Sequence, residues 1–358
     1  MSETIHVIRA GSPDDFNGSA RYLGRLVQSR RIRGDRVVEH RLPRAASVLD
    51  SSTREQAHAF LRATEDQQLV VVEALALPAL VYALPAEAAR RLCVLVVFHR
   101  PAYSNAWSEL RERVFAAERD TYRLVHRVVA SSLHGAMGLG PLGVLPDQIG
   151  VVPGGIDPGS SARGSASGGS LLMIGQVIER KGHFDLIDAL VPLSAYPWRL
   201  QIVGSASYAH DYVARLKYKI EDVGLAQRIV LRGALPSDEL RGALDESDLF
   251  ISASWDEASA LAVLDAAAAG IPSLVTNVGG CERTLPAQAG FVVPRRDPSA
   301  LRGVIEAWFC DEGSRQRIRA SLEAVRPRLR RWTEAEAEFD REIALARRFS
   351  QGGGASDR

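Results

Sequence analysis

A chain of 358 residues is more than one ordinary hydrophobic core organises and suits two domains. With 46% hydrophobic and 24% charged residues it has the balance of a globular protein in water, and a net charge of +1 gives no field toward nucleic acid or membrane. Arginine heavily outnumbers lysine and acids are interleaved among the basic residues, so no nucleic-acid partner is expected. The three cysteines, Cys93, Cys281 and Cys310, are far apart and form no Cys-x-x-Cys pair. That argues against a disulfide framework or a zinc site and fits a reducing cytosol. The opening MSETIHVIRAG lacks the basic start and apolar core of a signal peptide. No segment approaches the roughly 18 apolar residues that cross a bilayer. A cytoplasmic location is expected, with any membrane contact confined to the surface.

In chain order, short apolar runs predict buried strands at 5–9, 69–75, 92–98, 127–131 and 149–153, with helix-length stretches at 20–32 and 108–125 between them. The helix over 20–36 is basic, which reads as a solvated face rather than a membrane contact. A run dense in glycine and serine, GGIDPGSSARGSASGGS (154–170), then breaks the composition and reads as a linker. Beyond it the pattern repeats, with strands at 171–176, 199–204, 228–233, 248–254, 272–276 and 290–294 and helices at 183–193, 210–224, 237–247 and 260–270. Near-continuous apolar strands alternating with helices predict parallel sheets covered on both faces. The expected fold class is α/β, with two doubly wound, Rossmann-like domains facing each other across a cleft. The predicted boundaries are 1–158, a linker at 159–170, and 171–332. A strong helix former over about 333–350 is expected to pack back on the first domain.

The stretch WDEASALAVLDAAAAG (255–270) places Glu257 at a strand's carboxyl end and Asp265 inside an otherwise apolar helix. Gly270 and Pro272 stop that helix, and the amides of Ser259, Ala260 and Leu261 form its N-terminus, a ready site for phosphate. A buried carboxylate needs donors. For Asp265 these are either ribose hydroxyls or a neighbouring backbone group or arginine.

The Glu-x7-Asp spacing, followed by AAAAGIPSLVTNVGG and AGFVVPRRDPSAL, resembles the Glu-x7-Glu block of retaining GT-B glycosyltransferases, most closely the glycosyl-transferase group 1 family (family 4). Upstream, VVPGGIDP (151–158), IGQVIERKGHFDLIDAL, LQIVGSA and IVLRGALPSDEL stand in family order, so the resemblance covers about 127–335. It implies a retaining, metal-independent transfer of a sugar from a nucleoside diphosphate sugar to an acceptor, with no further cofactor and no metal site. Glu257 then lies against the donor sugar, Asp265 binds the ribose, and Ser259, Ala260 and Leu261 hold phosphate and sugar. Lys181 neutralises the leaving diphosphate. Gly175, Gln176, Gly204 and Gly233 complete the donor site.

The sequence departs from the family in three places. Asp265 replaces the second glutamate, EASAL stands for the common EGFGL, and Gln176 stands where the family has an arginine. In the first domain, Asn17 and Gly18 occupy the position of a glycine-rich loop beneath the diphosphate and acceptor. His99, at the end of a strand, is a candidate for contact with sugar or acceptor, while His134 and His183 read as surface or supporting groups. Two rival readings keep the fold: a sugar-nucleotide epimerase or hydrolase, which Gln176 favours, and a non-catalytic sugar-nucleotide-binding protein. No Gly-x-Gly-x-x-Gly follows either first strand, which argues against a dinucleotide dehydrogenase. The base, the sugar and the acceptor (small molecule, glycan or lipid) are not encoded in any motif.

Overall fold

The computed structural model describes residues 3–11, 18–42, 51–84, 91–106, 108–165 and 167–351. The chain forms two compact units, one built from residues up to Gly154 together with those from Trp332 onward, the other from Gly155–Arg331. Gly18 is grouped with the second unit. No helix among the described residues is long and apolar enough to cross a membrane.

The first unit runs β1 (Thr4–Ala10), α1 (Gly18–Ile32), β2 (Arg36–Leu42), α2 (Ser51–Ala63), β3 (Leu69–Glu73), β4 (Cys93–Phe98), α3 (Arg111–Tyr122), β5 (Arg127–Ala130), α4 (Leu133–Met137) and β6 (Ile149–Val151). All pairs are parallel, in the order β2-β1-β3-β4-β5-β6. Every residue of β3 and β4 is buried, as strands covered on both faces require. β2, RVVEHRL, is an edge strand with only Leu42 fully buried, so it has no apolar run to announce it. Val70, Val72, Val94, Val96 and Phe98 pack with Leu77 and Leu80 on one face of the sheet.

The second unit runs β7 (Ser170–Ile174), α5 (His183–Leu190), β8 (Arg199–Val203), α6 (His210–Asp222), β9 (Ile229–Gly233), α7 (Ser237–Asp245), β10 (Leu249–Ser252), α8 (Leu261–Ala268), β11 (Ser273–Thr276), α9 (Gly279–Thr284), β12 (Gly290–Val293), α10 (Pro298–Cys310) and α11 (Glu312–Val325). Its sheet is again parallel, in the order β12-β11-β10-β7-β8-β9. Alternation along β7 sends Leu171 and Met173 to one core, with Ile187, Leu200 and Trp308, and Leu172 to the other, with Phe250, Val263 and Val275.

The final helix, α12 (Trp332–Gln351), belongs to the first unit. Its Glu342 pairs with Arg127 of β5 at 2.5 Å, and the Trp332 ring centroid lies 5.8 Å from that of Tyr22 on α1.

The glycine- and serine-rich run is fastened to the second unit rather than loose. Ala162 N–H donates to Ala269 C=O at 2.7 Å and Gly164 N–H to Asp245 C=O at 2.9 Å. Asp248, fully buried, accepts from the amides of Ser165 (2.8 Å) and Ser170 (2.9 Å) and pairs with Arg319 at 2.7 Å. A carboxylate with that many donors offsets its own desolvation.

Candidate functional site

In a doubly wound sheet the strand order reverses at one point, and the loops leaving the two strands there diverge and open a crevice beyond their carboxyl ends. In the second unit that point lies between β7 and β10. The loop after β7 carries Gly175, Gln176 and Lys181; the loop after β10 carries Ser254 and Glu257. Across the crevice the Lys181 ammonium forms an ion pair with Glu257 Oε2, both side chains only 12% and 15% exposed. Ser254 Oγ also donates to Glu257 Oε2 at 3.4 Å.

Two glycines make room for this approach. A methyl group on Gly175 would lie 3.0 Å from Lys181 Cε, so a side chain there would push the lysine stem aside. Gly182, which begins the turn into α5, has φ +70°, and a methyl group on it would meet Ala253 C=O at 2.0 Å. Only glycine joins that left-handed turn to so close a contact. Gly204 and Gly233 close β8 and β9 beside Gly175. Gly175 N–H donates to Val203 C=O and Gly204 N–H to Gly233 C=O, each at 2.8 Å.

α8 begins at Leu261, one residue later than the apolar pattern predicts. Ala260, just before it, is left-handed at φ 42°, ψ 38°. For an alanine that conformation costs roughly 1–2 kcal/mol. Strain of this kind gathers at functional loops, and in the EGFGL pattern this position is a glycine. Glu257 C=O accepts from Gly280 N–H at 2.9 Å, which ties the loop to α9. Asp265 lies in the second turn of α8, partly buried. Cys281 is buried nearby, its thiol pushed up to about 12, first by burial and then by Glu257, so it stays protonated and inert.

His183 is a core residue, 1% exposed, rather than a surface group. Its Nδ1 lies 3.3 Å from the Tyr212 hydroxyl, and burial, then the charge of Lys181, push its pKa down to about 3. It is therefore neutral and takes no part in charge neutralisation.

In the first unit, His99 follows β4 and is buried, its Nδ1 2.7 Å from Ser131 Oγ, with donor and acceptor set by the tautomer. The Tyr22 ring meets it edge-on at 4.9 Å. Asn17 lies outside the described residues; Gly18 opens α1. His134 is half-buried on α4.

Sequence reasoning passed over two acids here. Glu73 ends β3, where this sheet's order reverses between β1 and β3; it is buried and accepts from Ala10 N–H at 3.1 Å. Glu118 on α3 is wholly buried and accepts from the amides of Ala102 (2.9 Å) and Tyr103 (3.1 Å), in the turn after His99. Burial pushes its pKa up to about 7, against the pull of those two amides. The one signal for Glu73 was an acid closing an otherwise apolar strand. Glu118 had none, because acids are common on helix faces.

Both sheets, their order and their switch points define a two-domain α/β fold of the GT-B type. Residues 168–323, within the second unit, match the glycosyl transferases group 1 family. Among curated proteins, the chain is 29% identical over 170 residues to a phosphatidylinositol N-acetylglucosaminyltransferase component of Arabidopsis thaliana, covering 46% of this chain and 37% of that one. It is 29% identical over 208 residues to "D-inositol 3-phosphate glycosyltransferase" of Acidothermus cellulolyticus, covering 52% and 46%. The matched stretch thus spans less than half the length of either relative.

Among solved structures, Anabaena Alr3699/HepE in complex with UDP and glucose superposes with a TM-score of 0.77 at 17% identity, over 96% of this chain and 100% of that one. Sucrose-phosphate synthase from Thermosynechococcus elongatus gives 0.74 at 18%, over 95% and 98%. At such identities the likeness is one of fold.

Proposed function

We propose that the protein is a retaining glycosyltransferase that takes a sugar from a nucleoside diphosphate sugar and needs no metal ion to do so. The observation that carries this reading is the Lys181–Glu257 pair bridging the β7/β10 switch point of a group 1 domain. Donor cleavage builds negative charge on the departing diphosphate and positive character on the sugar. A site for it needs a cation and oriented amides on one side and a carboxylate on the other. Lys181 with the amides leading into α8 supplies the first, and Glu257 the second.

In the ligand-free protein these two charges neutralise each other. On donor binding the diphosphate takes over Lys181, and Glu257 is released toward the sugar. Asp265, on the same helix as the amides, takes the ribose hydroxyls. Gln176, neutral beside Gly175, contributes no second cation, so turnover is slower than a site with an arginine there would give. The acceptor is chosen by the first unit, where His99 is the candidate contact. Since Alr3699/HepE was crystallised with UDP and glucose, uridine nucleotides head the panel of probes.

The test is isothermal calorimetry with UDP-, GDP- and ADP-linked sugars, with and without EDTA. One base series is expected to bind in the micromolar range and to be cleaved at an EDTA-insensitive rate. No heat from any of them at millimolar concentration overturns the proposal, and an EDTA-sensitive rate overturns its metal-free part.

A further inference from the structure

Trp255 has no part in the roles above and belongs to none of the core clusters of the second unit. It is nevertheless held on every side. Its amide donates to Arg180 C=O at 2.7 Å, and the Arg180 guanidinium returns a bond to Asp256 C=O at 3.3 Å. Its indole Nε1–H donates to Asp185 Oδ2 at 2.6 Å. Arg295 Nη1 donates to its carbonyl at 3.1 Å, and the Arg296 guanidinium lies 4.2 Å from its ring centroid.

These contacts have a clear geometry. Lys181 sits between Arg180 and Asp185 on the loop leaving β7, and Glu257 sits two residues beyond Trp255 on the loop leaving β10. β7 and β10 pair only as far as Leu172 and Phe250, so the two loops lie beyond the last bridge that joins these strands. Trp255 joins them instead, by one backbone bond just before Lys181 and one charge-assisted side-chain bond just after it. The loop after β12 adds Arg295 and Arg296 from a third side. An ammonium on a flexible four-carbon stem is held in place only as well as the backbone beneath it, and a misplacement of about 1 Å costs on the order of 10²-fold in rate.

We propose that Trp255, through its indole bond to Asp185, is a positioning residue that holds Lys181 opposite Glu257 and thereby sets the rate of donor cleavage. The rate part rests on the function proposed above; the positioning part does not.

Composition provides a test that needs no substrate. Lys181, Lys217 and Lys219 are the only lysines in the chain. Reductive methylation with 13C-formaldehyde therefore labels three side chains, and Lys181→Arg assigns the signal of interest. In Trp255→Phe and in Asp185→Ala, the Lys181 methyl signal is expected to move toward that of a free lysine while the other two stay. Turnover of the fastest-reacting sugar nucleotide is expected to fall at least tenfold with KM within threefold. Asp185→Asn keeps an oxygen that accepts the indole N–H, and is expected to restore the signal and most of the rate.

A Lys181 signal unmoved in both disruptive variants overturns the proposal, as does Asp185→Asn behaving like Asp185→Ala. Unchanged turnover in both variants overturns the rate part. Should Trp255→Phe fail to fold, Asp185→Ala, on the partly exposed first turn of α5, decides alone. If no sugar nucleotide turns over, the proposed function falls while the methyl signals still decide the positioning.

Discussion

The two parallel sheets present opposite kinds of chemistry at their carboxyl ends. In the second unit the crevice between β7 and β10 holds a cation and a carboxylate paired side chain to side chain, beside a strained alanine and a helix start. In the first unit the acids and histidine at or just beyond the ends of β3 and β4 meet backbone or a hydroxyl: Glu73 accepts from the Ala10 amide, Glu118 from two amides, and His99 lies against Ser131. A pair of opposite side-chain charges is available to exchange partners with a ligand, whereas a carboxylate gripped by amides shapes a loop. On the function proposed above, the donor chemistry falls to the second unit.

The most severe way to test that contrast is Lys181→Ala. Losing the cation that faces Glu257 at the switch point is expected to cut turnover by about 10²–10³, some 3–4 kcal/mol of transition-state stabilisation. Calorimetry should show nucleoside diphosphate affinity falling less than tenfold. A wild-type rate would erase the distinction between the two units.

Glu118→Gln probes the other side. Its carboxyl has a folded pKa of about 7, raised above the usual 4.5 by burial. The folded state therefore binds the proton more tightly than the unfolded one. The resulting stability is fully present below about pH 4.5 and is lost as pH rises through 7, on the order of 3 kcal/mol in all. Urea titrations from pH 4.5 to 8 should show that slope in the wild type and a flatter one in the glutamine variant, with nucleotide affinity unchanged. A change in nucleotide affinity would mean the first unit shares the donor chemistry.

Gln176→Arg sharpens the contrast by adding the missing cation. It is expected to raise turnover roughly tenfold, about 1.4 kcal/mol, read from initial rates. The smallest effect is Ala260→Gly, which relieves the left-handed alanine and should raise unfolding free energy by about 1 kcal/mol in urea.

Legibility in the sequence followed the same division. The residues of the second crevice lie at strand ends within short motifs, so Glu257 and the α8 start stood out from local pattern, and Lys181 from the resemblance those motifs carry. Edge strand β2 escaped notice because neither of its faces is fully buried. His183 looked solvated because a lone histidine on a motif loop usually is; the left-handed Gly182 turns the chain inward there, and Tyr212, on the next helix, receives it. The fastening of the glycine- and serine-rich run depends on Asp245, Asp248 and Ala269, far along the chain, and composition carries no trace of partners so distant. Glu118 was illegible for the same reason.

The discontinuity of the first unit bears on how the molecule is made. Arg127 on β5 is buried against Glu342, and Tyr22 against Trp332, yet those partners are translated only after the whole of Gly155–Arg331. On the ribosome the half that is synthesised first is the last to be completed, its Arg127 lacking Glu342 until after Gly155–Arg331 has been made. A chain released before residue 332 should therefore carry a native second unit attached to an unfinished, aggregation-prone first one.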